Sequence, residues 1–247
     1  MASKYQKLTP LEHILTRPDT YVGSLEKETT SEWILDKDKT SMIQKNIKIV
    51  PGLNKIFDEI LVNAIDQSTQ DKTLNNIKVN VNQETGEICI SNDGKGIPIV
   101  MHDEEKIYVP QMIFGELLTS SNYDDTENRT VGGRNGYGAK LANIFSTEFN
   151  LEVHDVESSQ KFEMTWSNNM KEKTKPKVSK KKTENGLVKI SFFPDLEKFG
   201  LKQLSDDVVA LFERRVYDAC ANTNENVSVF YNGKKLGFKN FEKYVDL

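Results

Sequence analysis

Leu53, Ile56, Phe57, Ile60, Leu61 and Ala64 follow one another at steps of three and four residues, the spacing of a single helix face. The pattern predicts an amphipathic helix over residues 53–66, entered through Pro51-Gly52. Upstream, a polar stretch over residues 1–9 precedes a short helical pattern at 11–15. The Arg17-Pro18 step should stop that helix, because proline disfavours helical backbone at the residue before it. Strand-like segments follow near 32–35 and 44–50. Two more strands, 77–81 and 87–91, meet through turn residues 84–86. A helix is predicted over 110–118, a polar loop over 119–134, and a second helix where Leu141, Ile144 and Phe145 repeat. Further strands are predicted at 151–156, 161–166, 187–193, 227–231 and 234–238, the last two joined by an Asn232-Gly233 hairpin turn. A long helix over 204–220 separates them from the rest. Helices and antiparallel strands interleave without regular strand–helix–strand alternation, so the class is α+β. There is no internal repeat.

With 247 residues and 37% hydrophobic content the chain can bury a sizeable core, as one large domain or two small ones. Its net charge of −4 gives no global drive toward nucleic acid. Cys89 and Cys220 are far apart in apolar patterns and read as buried, reduced thiols of an intracellular protein. No apolar run approaches the ~20 residues that span a bilayer, and no signal-peptide core opens the chain. Residues 171–182 carry seven lysines and one glutamate. That composition predicts a solvated, mobile connection, or else a patch facing nucleic acid.

Candidate chemistry lies in three places. Gly133, Arg134, Asn135, Gly136, Tyr137, Gly138, Ala139 and Lys140 form a glycine-rich run leading into a helix. Exposed amides there can cradle phosphates, and Lys140 adds a mobile cation. The run is neither a Walker loop, since Ala139 separates Gly138 from Lys140, nor a dinucleotide fingerprint, which needs a third spaced glycine. On the 53–66 helix, Glu59, Asn63 and Asp66 share a polar stripe. A solvated face accounts for that stripe as well as a carboxylate orienting water beside an amide on an oxygen-ligated Mg²⁺ does. Asn92-Asp93-Gly94-Lys95-Gly96-Ile97-Pro98 ends a strand. It is a simple turn, or it presents Asn92 to an adenine amine while the glycines let the backbone pass close to the ring. Ser120, Ser121 and Asn122 open a loop long enough to suggest a lid.

In this order the three segments resemble the GHKL ATPases, and within them the amino-terminal ATPase region of type IIA DNA topoisomerases of the eukaryotic kind. Tyr5-Gln6-Lys7, Leu11-Glu12-His13-Ile14-Leu15, Arg17-Pro18-Asp19-Thr20-Tyr21 and Lys55-Ile56-Phe57-Asp58-Glu59-Ile60-Leu61-Val62-Asn63-Ala64 carry the resemblance. So do Leu117-Leu118-Thr119-Ser120-Ser121-Asn122-Tyr123-Asp124-Asp125, Ile144-Phe145-Ser146-Thr147, Pro194-Asp195-Leu196 and Arg214-Arg215-Val216-Tyr217-Asp218. Nearly the whole chain is covered.

The resemblance implies a two-layer α/β sandwich with a mixed, largely antiparallel sheet and ATP beneath the lid. It makes Glu59 the general base and Asn63 the Mg²⁺ ligand. Asn92 becomes the adenine-recognising residue, with Ser191 standing where many members have Thr and Asp66 on the nucleotide-facing stripe. Ile97, Ile113 and Phe114 match apolar residues around the base. Ser120, Ser121 and Asn122 match ribose and phosphate contacts, and residues 133–140 match the phosphate loop. Residues 1–9 become an exchange arm whose Tyr5 covers the nucleotide of the partner in a homodimer, and residues 10–247 the ATP-binding domain. Double-stranded DNA would be handled by the full enzyme, with weak or no binding by this stretch. The nucleus is implied for a cellular source, and a virion or viral factory for a large DNA virus.

Gln67 and Ile65 depart from the expected Asn and Ala beside the nucleotide-facing stripe. The chain stops at Leu247, before the family's transducer domain with its phosphate-binding lysine and before the DNA-cleaving tyrosine. A histidine kinase on the same fold would need a phosphoacceptor in a helical hairpin, and His13, His102 and His154 offer none. A non-catalytic, nucleotide-sensing dimerisation module stays open as the alternative.

Overall fold

The computed structural model describes residues 7–117, 137–238 and 241–247. Helix α1 (Pro10–Thr16) begins with a capping box: Thr9 accepts from the Glu12 amide, and Glu12 accepts in return from the Thr9 amide at 2.8 Å. Helix α2 (Asp19–Val22) starts directly after Pro18. Strands β1 (Glu28–Leu35) and β2 (Met42–Ile49) form a separate antiparallel hairpin. The first half of β1 is mostly exposed, so it lacks the apolar alternation that marks its second half.

Helix α3 (Pro51–Gln70) buries Leu53, Ile56, Phe57, Ile60, Leu61 and Ala64, the stripe read from the sequence. It runs four residues past the expected end at 66. Ser68 and Thr69 donate their hydroxyls back to the Ile65 and Asp66 carbonyls, and no glycine or proline interrupts the last turn. Then follow β3 (Asn76–Val81), β4 (Ile88–Asn92), α4 (Val109–Gly115) and α5 (Gly138–Ile144). After them come β5 (Ser146–Asp155), β6 (Gln160–Ser167), β7 (Glu172–Lys173), β8 (Lys177–Lys180) and β9 (Leu187–Pro194). The chain closes with α6 (Asp206–Asn222), β10 (Ser228–Tyr231), β11 (Lys234–Lys235) and α7 (Phe241–Val245).

Strands β3 to β11 make one nine-stranded sheet in the order β11-β10-β3-β4-β9-β5-β6-β7, with β8 also on β6. Every pairing is antiparallel except β10 with β3. Across the sheet, Val79, Ile90, Ile190, Leu151 and Met164 stand in register and are buried. That face carries the helices: α6 on β10, α3 on β4, α5 on β5 and α4 on β6. Phe57 of α3 stacks on Phe212 of α6 with ring centroids 4.1 Å apart, locking two helices together. Phe149 meets Phe114, Trp166 and Phe192 beneath α4. The adjacent register, Asn80, Cys89, Ser191, Asn150 and Thr165, points to the opposite, half-covered face. The two-layer, mixed but mainly antiparallel α+β architecture is therefore the expected one.

The lysine-rich segment differs from the expectation of a mobile connection. Trp166 pairs with Lys173 while Glu163 pairs with Lys177, so four steps along β7 and β8 match three along β6. The two short strands are halves of one edge strand interrupted by a bulge that contains Pro176. Lysines, proline and a bulge are the devices that discourage further strand pairing at a sheet edge.

Candidate nucleotide site

Two segments 79 residues apart in sequence meet at one carboxylate. Glu59 is half-buried on α3, and Gly138 opens α5 against it: a Cβ built on Gly138 would overlap Glu59 Oε2. Any larger residue at 138 would push the Glu59 carboxylate aside, so the carboxylate and the end of the glycine run share one spot. Lys55, one turn earlier, makes an ion pair with Glu59 Oε1. Asn63, one turn later, is exposed, and its amide makes no hydrogen bond to the described residues. Asp66 is half-buried on the same stripe.

The start of α5 is built from both directions. Tyr137 precedes it, and no side chain among the described residues caps its first amides. The Tyr137 ring lies 5.8 Å from that of Tyr21, whose hydroxyl meets His13 Nδ1 at 2.9 Å. Through Tyr21, helices α1 and α2 thus lean on Tyr137 at the entry to α5. Ala139 and Lys140 are buried, Lys140 to 2% exposure. It is therefore not the mobile cation expected from its neighbours in sequence. Burial pushes its ammonium down to about 8, with Glu116 pulling weakly the other way.

Asn92 ends β4 at 7% exposure. Its Nδ2 donates to the Asp93 carbonyl at 2.9 Å, which leaves Oδ1 as the acceptor of the amide. Asp93 itself is withdrawn, accepting from the Asn75 amide at 2.7 Å, the Asn76 amide at 2.8 Å and Asn76 Nδ2 at 2.6 Å. Asp71 holds the rest of the loop through the Lys95 amide at 2.7 Å and through Thr73. Burial raises the Asp71 carboxyl, but these hydrogen bonds outweigh it and leave the group below its ordinary value. Gly94 and Gly96 have φ of 115° and 84°. A Cβ would overlap the Asp71 carboxylate at Gly94 and the His154 carbonyl at Gly96. Protein packing and left-handed backbone are thus sufficient reasons for both glycines, without an adenine ring.

Three sequence expectations are separated by the structure. Ser191 lies opposite Cys89 and donates its hydroxyl to Glu87 on the face away from the helices; the residue across from Asn92 is Val188. Ser191 and Asn92 therefore point to opposite sides of the sheet. Ile113 and Phe114 do not share a face either, since neighbours on a helix are about 100° apart. Phe114 is in the core at 4% exposure, whereas Ile113 is 37% exposed. Ile97 is half-buried at the margin of the core. Tyr5, Ser120, Ser121, Asn122, Gly133, Arg134, Asn135 and Gly136 lie outside the described residues. Sequence reasoning missed Lys55, Asp71 and Tyr21. The i,i+4 spacing could have found Lys55, but no local signal marks the other two.

A helix-layered, mainly antiparallel sheet with a carboxylate helix facing a glycine run defines an ATPase of a known kind. The chain belongs to the Histidine kinase-, DNA gyrase B-, and HSP90-like ATPase family, which it matches over residues 49–184. All of it aligns with DNA topoisomerase 2 of Meyerozyma guilliermondii at 54% identity and of Saccharomyces cerevisiae at 52%. It spans 18% and 17% of those two proteins, under a fifth of their length. The ATPase region of Saccharomyces cerevisiae topoisomerase II superposes with a TM-score of 0.96 at 51% identity, covering 99% of this chain and 65% of that one. The same region bound to ICRF-187 superposes at 0.95 over 100% of this chain, again 65% of the other. The chain is thus similar throughout to a topoisomerase II ATPase region, with a nucleotide-binding ATPase fold.

Proposed function

We propose that this chain binds Mg²⁺-ATP and hydrolyses it as the amino-terminal, nucleotide-operated clamp of a type II DNA topoisomerase. The observation that supports the reading is the contact of Glu59 with Gly138, because a general base at Glu59 would then stand beside the end of the glycine run. Glu59 accepts a proton from the attacking water. Uncapped amides at the start of α5, with Lys140 in the same turn, bind phosphate oxygens. Asn92 Oδ1 accepts from the adenine amine. The exposed Asn63 amide suits Mg²⁺, which takes oxygen ligands and few of them from protein. When bound, the ion supplies charge neutralisation of the phosphates. Residues 1–9 act as an exchange arm and residues 10–247 as the ATP-binding domain. In the longer protein, homodimer closure on ATP would trap double-stranded DNA for passage, in the nucleus. No helix among the described residues is long and apolar enough to cross a membrane.

Glu59→Ala tests this reading. It should bind Mg²⁺-ATP with near wild-type affinity and lose about 10²- to 10⁴-fold in hydrolysis rate. Equal turnover by the variant removes Glu59 from the base role. Without the transducer lysine this stretch alone should turn over ATP only weakly, so it is nucleotide binding with no turnover in the longer protein, transducer domain included, that would instead identify a nucleotide-sensing dimerisation module.

A further inference from the structure

The Glu59 carboxylate is held on two sides by unlike groups. Lys55 Nζ pairs with Oε1, and Oε2 is the atom that a Cβ on Gly138 would strike, the carboxyl carbon lying 3.1 Å from that position. Lys55 is half-exposed and Glu59 is 22% exposed, so the pair sits at the rim of the site, in reach of solvent and ligand. Helix stability gives little reason for this pair. Lysine one turn before glutamate is the less favourable order, because it opposes the helix dipole. The neighbouring carboxylate, Asp58, already has its own cation in Arg215 at 2.8 Å.

We infer that Lys55 is a positioning residue for hydrolysis: its ammonium anchors Oε1 of Glu59 and so holds Oε2 at the start of α5, beside the place the terminal phosphate and the attacking water take in the proposed function. The inference rests on Glu59 being the general base proposed above. The last torsion of a glutamate side chain is broad and roughly two-fold, so an unanchored carboxylate swings its lone pairs away from any one direction. Proton abstraction requires those lone pairs within hydrogen-bond reach of the water. In the step itself, the water oxygen bonds to the terminal phosphorus and the bond from phosphorus to the ADP oxygen breaks. The water's proton passes to Glu59 Oε2, and from there to solvent. Lys55 keeps its three protons throughout. Its charge also offsets repulsion between the Glu59 carboxylate and the incoming polyphosphate.

The test compares Lys55→Gln and Lys55→Arg in the 247-residue chain. Mg²⁺-ATP affinity is read by displacement of a fluorescent nucleotide. Hydrolysis is read in single turnover, with protein in excess over labelled ATP so that slow rates are measurable. Lys55→Gln should keep affinity within about threefold while hydrolysis falls roughly ten- to a hundredfold, the scale of a misplaced catalytic group. Lys55→Arg should recover most of the rate. In a Glu59→Gln background, Lys55→Gln should have no further effect, because its action runs through that carboxylate. A wild-type rate in Lys55→Gln overturns the proposal. So does equal impairment by Gln and Arg, or an undiminished effect in the Glu59→Gln background. Failure of the unmodified chain to bind ATP overturns the proposed function and this inference with it, which separates the two.

Discussion

Lys140 shows how one side chain links the fold to the ligand. It lies in the first turn of α5, is buried, and titrates at about 8 instead of near 10.5. Folding therefore carries a cost for the charged form below pH 8, and that cost fades as pH rises through this value. A polyphosphate beside the ammonium restores the ordinary range, so binding takes up a proton between the two values. Affinity for Mg²⁺-ATP should then be nearly full below pH 8 and weaken above it, by roughly eightfold between pH 7.5 and 9. Isothermal titration in buffers of different ionisation enthalpy measures the proton uptake directly. Lys140→Met should bind more weakly and flatten the profile. A pH-independent wild-type affinity across this window would mean that Lys140 does not sense the nucleotide.

Elements here are tied by a charge network behind the site. Arg215 of α6 donates to Asp58 of α3 at 2.8 Å and to Asp218 at 2.7 Å, while Arg214 bridges Asp218 and Glu32 of β1. Burial pushes the Asp58 carboxyl above its ordinary value, with Arg215 pulling the other way. Arg215→Met should leave Asp58 with no cation of its own on α6 and cost about 2 kcal/mol, below the 3–5 typical of fully buried pairs because these groups are partly exposed. The unpaired Asp58 would bind a proton more readily in the folded state than in the unfolded one. Stability of the variant should therefore recover as pH falls from 7 to 5, and urea unfolding at both values measures it. An equal deficit at both would show that Asp58 does not feel the lost cation.

The same scale shows what the sequence could tell. Helix α3 was legible because its buried face is a strong period over many turns, and with it the stripe of Glu59, Asn63 and Asp66. The edge strand of β7 and β8 was not, since seven lysines erase the alternation that marks a strand. Ser191 failed for a different reason. Which face a strand residue takes depends on register, a one-residue change reverses it, and only the pairing of Val188 with Asn92 reveals it. The contact of Glu59 with Gly138 is likewise a tertiary fact: each motif was readable alone, and their meeting was not.

At the scale of the whole molecule the open term is assembly, and the amino-terminal segment decides it. Residues 3–8 are mostly polar, with Tyr5 and Leu8 as their large apolar groups, and Leu8 is 40% exposed. Such a segment has little to bury against its own domain. If Tyr5 packs over a partner's nucleotide, ATP binding and dimer contact stabilise each other, and linkage requires a non-hydrolysable ATP analogue to raise the dimer fraction. Removing residues 1–8 is a clean cut, because it falls just before the Thr9–Glu12 capping box and leaves α1 with its own start signal. His13, Tyr21 and Tyr137 keep their contacts as well. The truncated chain should therefore retain its fold and bind Mg²⁺-ATP, yet lose most of the analogue-dependent shift toward dimer. Sedimentation velocity of both chains with and without analogue measures this. An equal shift in the truncated chain would assign the dimer contact to another surface, and no shift in either would place the interface wholly beyond these residues.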